Sequence, residues 1–179
     1  MSDFTTFRNL VRKVQKQTGQ CDESLKDFEQ CSTIPQLVQV WKKYWSNLLD
    51  EAPTQLLQMF DRHYEKYADG INAAGVYYNE AAPHAMCLIG DMPETFLGEP
   101  LEVISEAIPT HVYVLGRARV TLRGVTRAYV NNPAAVIELK DITSANVVAG
   151  HAIARDRSRL TTAGSFERYN AAVVTSTRR

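Results

Sequence analysis

Cysteine is scarce in this chain. Its three residues, Cys21, Cys31 and Cys87, form an odd set without the paired spacing of a metal site or a disulfide framework, so free thiols in a reducing cytoplasm are the expectation. No apolar run approaches the roughly 20 residues that span a bilayer, and no membrane partner is expected. The opening M-S-D-F-T-T-F-R-N-L lacks the charged-then-apolar layout of a secretory signal. Phosphate loops, dinucleotide fingerprints, G-x-S-x-G elbows and H-E-x-x-H helices are all missing, and no motif calls for a cofactor or a metal. Lysine nearly vanishes from the second half: from Thr110 onward, ten of eleven cationic side chains are arginine.

What is present divides the chain by charge. Up to Pro109 there are nine Lys/Arg against sixteen Asp/Glu, and from Thr110 eleven against four, so a net charge of zero hides two halves of opposite sign. Such asymmetry points to a charged partner or to attraction between the halves.

Residues 1–70 read as a helical region. Phe4, Phe7, Leu10, Val11 and Val14 follow helical spacing, with Ser2 or Asp3 to cap the start and Gly19 to stop it. A short helix is expected from Asp22 to about Cys31 with Leu25 and Phe28 inward. A third is capped by Ser32 or Thr33, carries Pro35 in its first turn, and runs along Leu37, Val40, Trp41, Tyr44, Trp45, Leu48 and Leu49. Asp50 to Pro53 break it. The fourth buries Leu56, Leu57, Met59, Phe60 and Tyr64 and ends near Asp69-Gly70. Aromatics at helical spacing belong more often to a core than to a binding surface, so Trp41, Tyr44 and Trp45 are assigned to the core. Residues 71–109 read as a transition onto a repeat, with short strands at 75–79 and 85–90, in which Leu101, Ile104 and Ile108 cover the first rung.

Residues 110–179 form a repeat domain. Cut every eight residues, the stretch Thr110–Ile153 aligns with itself. Val112, Val120, Ala128, Ile137, Ala145 and Ile153 make one apolar column; Val114, Leu122, Val130, Leu139 and Val147 make a second. Gly116, Gly124, Asn132 and Asp141 are turn-formers, and Thr110, Ala118, Thr126, Ala134 and Thr143 form a small-residue column. The alternation within each unit has the period of a half-buried strand. One extra residue precedes Ile137, which predicts a bulge or a loosened corner around Asn131 to Val136. A β-solenoid with two units per coil explains the small column; a β-meander, with the chain reversing at Gly116-Arg117, Arg123-Gly124 and Asn131-Asn132, is the alternative. The fold class expected is therefore α+β, a helical bundle followed by a small β-solenoid, whose repeat decays beyond Ile153.

The run V-x-V-x-G-x-A-x / V-x-L-x-G-x-T-x resembles the short-period repeat proteins of bacteria, phages and mobile elements, which are thought to form β-solenoids. That resemblance implies a phage or mobile-element product that blocks a host defence complex, as anti-CRISPR proteins do. By parity, Tyr113, Arg117, Arg119, Arg123, Arg127 and Tyr129 point away from the apolar columns, and forked arginines beside tyrosines suit an acidic protein surface or phosphates. The expected function is non-enzymatic binding of a protein or nucleoprotein complex. Direct nucleic-acid contact is one alternative, and an enzyme using His151 or His111 between the two parts is another. The open end of a solenoid also leaves room for oligomers.

Overall fold

The computed structural model describes residues 2–15, 22–45 and 53–177. The chain separates into two compact units, Met1–Val76 and Tyr77–Arg179.

The first unit is helical, with α1 (Asp3–Gln15), α2 (Asp22–Glu29), α3 (Ile34–Lys43) and α4 (Pro53–Asn72) among the described residues. Gly19, Leu48, Leu49 and the break at Asp50 lie outside them. The Ser2 hydroxyl accepts from the Thr5 N–H at the head of α1, and Thr33 accepts from the Gln36 N–H at the head of α3, with Pro35 in the first turn. Trp41 is the centre of the interior. It stacks on Phe60 at 5.7 Å and meets Trp45 edge-on at 5.0 Å, and all three rings are buried. Trp41 and Trp45 are core as their spacing implies, but Tyr44 is only half-buried and turns its hydroxyl to Asp27, to which it donates at 3.0 Å.

Two helical expectations change. Leu25 is exposed, because Ser24 and Phe28, four residues apart, take the inward face of α2. Gly70 does not end α4, which runs on to Asn72; the next left-handed residue is Gly75, at φ +71°. Gly70 is small for another reason: a Cβ there would lie 2.8 Å from Ile34 Cγ2, so the glycine lets α3 and α4 approach.

The second unit is a parallel β-solenoid of about five turns. Its strands are β1 (Val76–Tyr78), β2 (Met86–Ile89), β3 (Leu101–Ser105), β4 (His111–Val114), β5 (Arg119–Gly124), β6 (Arg127–Leu139), β7 (Ser144–Ala154), β8 (Arg159–Thr162), β9 (Ser165–Arg168) and β10 (Val173–Ser176), with a four-residue helix α5 (Glu94–Leu97) between β2 and β3. One face stacks β2, β4, the first part of β6, the first part of β7, β8 and β10. The other stacks β3, β5, the second parts of β6 and β7, and β9. Every one of these pairings is parallel, so Gly116-Arg117 and Arg123-Gly124 turn corners rather than reverse the chain, which removes the meander. Stacking already includes β2 and β3: the segment read as a transition supplies the first coil, and Ile104 and Ile108 are exposed rather than covering a rung.

Inside, like stacks on like. Val114, Val130 and Val147 are fully buried on one face, Leu122 and Leu139 on the other. Each such side chain contributes about 1.5–3 kcal/mol by leaving water. The expected bulge is present, with register shifts on both sides of Asn131. It moves the small position from Ala134, which is exposed, to Ala135, which is buried and stacks next to Ala118 in register. One residue is lost again before His151, so Ala152 and not Ile153 occupies the inner column. The repeat does not decay at Ile153; β8 and β9 continue it for another coil.

From the second coil onward, coil length changes at one corner only. From Val114, Val130, Val147 and Thr162 to the first residues of the facing strands, Arg119, Val136, His151 and Ser165, the link shortens or lengthens from coil to coil. In these coils the opposite corner keeps one length, as in Gly124–Arg127, Asp141–Ser144 and Asp156–Arg159, whereas in the first coil the chain takes a longer path from Ser105 to His111.

Candidate functional site

The constant corner is built from a four-residue turn. Its first residue is left-handed: Gly124 at φ +69°, Asp141 at +59°, Asp156 at +56° and Asn170 at +54°. Glycine, aspartate and asparagine are the residues that tolerate this conformation. At Gly124 a Cβ would also fall on the Ser105 carbonyl. The aspartates tie successive coils together. Asp141 Oδ2 accepts from the Gly124 N–H at 3.1 Å, Asp156 Oδ2 accepts from the Asp141 N–H at 3.1 Å, and the Asn170 amide donates to Asp156 Oδ1.

The third residue of each turn points inward. Thr126, Thr143 and Ser158 are fully buried, and their hydroxyls have no hydrogen-bond partner. The residues on either side must therefore splay outward. Val125, Ile142 and Arg157 form one bank; Arg127, Ser144 and Arg159 form the other. Together with Ala107 and Pro109 they enclose a groove of about 510 Å³ along the solenoid axis. Ile142 is half exposed at its centre, and no acidic side chain among the described residues lines it. Successive coils lie about 4.8 Å apart, so Arg127 and Arg159, two coils apart, are separated by roughly 10 Å along the axis.

The residues singled out by parity do not come together. Tyr113, Tyr129 and Arg127 share the β4/β6 face, Arg119 and Arg123 lie on the β5 face, and Arg117 sits at the variable corner. Arg123 is engaged by Glu102 at 3.8 Å and Asp141 at 3.5 Å. Arg117 lies 5.2 Å from the Phe96 ring centre, its N–H donating to Asp91. The Arg119 N–H donates to Thr95 Oγ1. Tyr113 and Tyr129 pack on each other with centroids 6.4 Å apart, and burial pushes the Tyr113 hydroxyl above its ordinary pKa. Of the six, Arg127 alone lines the groove.

Arg157 and Arg159, its companions there, belong to the stretch where the sequence repeat fades. A signal for them exists: Asp156-Arg157-Ser158-Arg159 reproduces Asp141-Ile142-Thr143-Ser144 and Gly124-Val125-Thr126-Arg127 once coil lengths are allowed to vary.

A second cluster lies on the β7/β9 face. His151 Nδ1 is 2.8 Å from Ser165 Oγ, and its Nε2 is 3.4 Å from Glu167. The Tyr169 hydroxyl donates to Glu167 at 2.7 Å and, with His151 and Arg155 nearby, holds that carboxyl below its usual pKa. Arg155 lies 4.5 Å from the Tyr169 ring centre and pairs with Glu138 at 2.5 Å, which also meets Lys140 at 3.4 Å. The hydrogen bonds join β9 to β7, so His151 serves as a clasp on the last coil. His111, the other histidine considered, is exposed on the opposite face. The thiols of Cys31 and Cys87 are buried, and burial raises both pKa values, which suits inert core residues.

No protein-family model, curated protein or solved structure matches this chain.

Proposed function

We propose that the protein is a non-enzymatic binding protein whose solenoid holds Arg127, Arg157 and Arg159 on a rigid lattice for an acidic protein partner. The observation that carries this reading is the groove: three arginines without a carboxylate partner among the described residues, set around Val125 and Ile142. Elsewhere on the solenoid the arginines with acidic neighbours, Arg123 and Arg155, are already paired. Guanidinium forks bind carboxylates through two parallel hydrogen bonds, and an apolar floor adds area that water leaves on binding.

A nucleic-acid partner is less well supported. Single strands are held by bases stacked on open aromatic faces beside a basic track. Here Tyr113 and Tyr129 are spent on each other and half buried. The finer expectation, a phage or mobile-element product that blocks a host defence complex, rests on the repeat resemblance alone.

The test is a fluorescence titration of labelled polyglutamate and of a labelled thymidine oligonucleotide, at low and physiological salt. Polyglutamate is expected to bind, and Arg127→Ala with Arg159→Ala to weaken it at least ~10-fold by removing two charge-assisted contacts. Tight oligonucleotide binding with a steep salt slope and no polyglutamate binding would replace the acidic-protein reading with the nucleic-acid one. Binding of neither would end both.

A further inference from the structure

The groove has a metric as well as a charge. Its arginines do not lie on one line: Arg127 stands on one bank in one coil, and Arg157 stands on the other bank two coils further along. Ile142 lies on the Arg157 bank in the coil between them. An extended polypeptide advances about 3.3 Å per residue and sends successive side chains to opposite sides. Three residues of such a chain cover about 10 Å, the same as two coils, and residues i and i+3 face opposite banks. Residue i+1 faces the bank that carries Ile142.

We infer that the groove takes an extended acidic segment of a partner protein lying along the solenoid axis, with the pattern acidic, apolar, any residue, acidic. This rests on the acidic-partner reading above and specifies it. The first carboxylate meets Arg127, the apolar side chain sits on Ile142 and Val125, and the second carboxylate meets Arg157, with Arg159 beside it. Two acids at i and i+2 fall on the same bank about 7 Å apart, short of the roughly 10 Å from Arg127 to Arg159 on that bank, and leave Arg157 unmet. The recognition is therefore by spacing, not by total charge, and differs from edge-strand addition in using side chains rather than backbone hydrogen bonds.

The experiment titrates two fluorescein-labelled peptides of identical composition, Gly-Gly-Glu-Leu-Ala-Glu-Gly-Gly and Gly-Gly-Glu-Ala-Glu-Leu-Gly-Gly, against the full chain, with polyglutamate as the reference ligand. The first is expected to bind at least ~10-fold more tightly than the second, since it alone has the spacing that sets one carboxylate at Arg127 and the other at Arg157 with Arg159 beside it. Arg157→Ala should erase that preference and Ile142→Ser should reduce it, while the circular dichroism spectrum stays unchanged. Arg119→Ala, on the other face, should leave it intact. Equal affinity for the two peptides with polyglutamate still bound would overturn the spacing rule and leave the acidic-partner reading standing. Loss of polyglutamate binding as well would sink both. An undiminished preference in Arg157→Ala or in Ile142→Ser would place the peptide elsewhere on the surface and overturn the inference.

Discussion

In the helical unit Trp41 meets Phe60, Trp45 and the rest of the interior through contacts that have no period, and each ring has its own environment. In the solenoid Val114, Val130 and Val147 stack same upon same, and the chain returns to one register at every coil. A helix tolerates a displaced neighbour because a side chain can rotate away. A coil whose backbone touches the next backbone has no such freedom. Errors in the first unit are absorbed locally, and errors at the second unit's corner are not.

Two glycines test that difference most sharply. Gly124→Val places a β-branched side chain at a positive φ and drives its Cβ onto the Ser105 carbonyl. The expected loss is about 3 kcal/mol or more, read as a lower urea midpoint for the strand signal. Gly70→Ala meets only the Ile34 side chain and gains helix propensity. Its expected loss is about 1 kcal/mol, and an equal loss from the two substitutions would contradict the contrast between the units.

An effect of opposite sign, no larger than that at Gly70, is expected at the turn's inward position. Thr143 buries a hydroxyl that no group satisfies. Thr143→Val keeps the shape and removes the unsatisfied oxygen, so it should raise stability by about 1 kcal/mol and shift the melting temperature upward. A drop in melting temperature would show that the hydroxyl column contributes more than its geometry reveals.

The smallest effect concerns the clasp. Glu167 has its pKa lowered, first by the Tyr169 hydroxyl and then by His151 and Arg155. A carboxyl with a lowered folded pKa stabilises the fold above its unfolded pKa, and the contribution is lost as pH falls through the folded value. Amide exchange in Ser165–Arg168 should therefore quicken as the pH falls into the acid range. Tyr169→Phe should flatten that dependence, and an unchanged profile would remove Tyr169 as its cause.

Much of the fold was legible because two periods are visible in the residues: the helical spacing of Phe7, Val11 and Val14, and the alternation of Val112 with Val114 and Val120 with Leu122. The caps at Ser2 and Thr33 were legible because capping is local chemistry. Ala135 and Ala152 were not found in place of Ala134 and Ile153, because a fixed cut of eight residues cannot follow a coil that changes length. The site was half legible. Parity separates inside from outside but does not say on which face a residue stands, so Arg119 and Arg127 looked like neighbours. Arg157 and Arg159 were hidden by the same rigid count that lost Ala152.

The unequal corners have one more consequence. From the second coil onward, insertions and deletions fall where Val114, Val130, Val147 and Thr162 lead into the facing strands, and none falls where Gly124, Asp141 and Asp156 turn the chain. One edge of the rod behaves as a ruler and the other as slack rope. Residues can be added to or trimmed from the slack edge without shifting a single graduation on the ruler. The side chains mounted on it, arginine or serine or isoleucine, can be exchanged without moving their neighbours, so the fold can change what it displays while keeping the interval of the display.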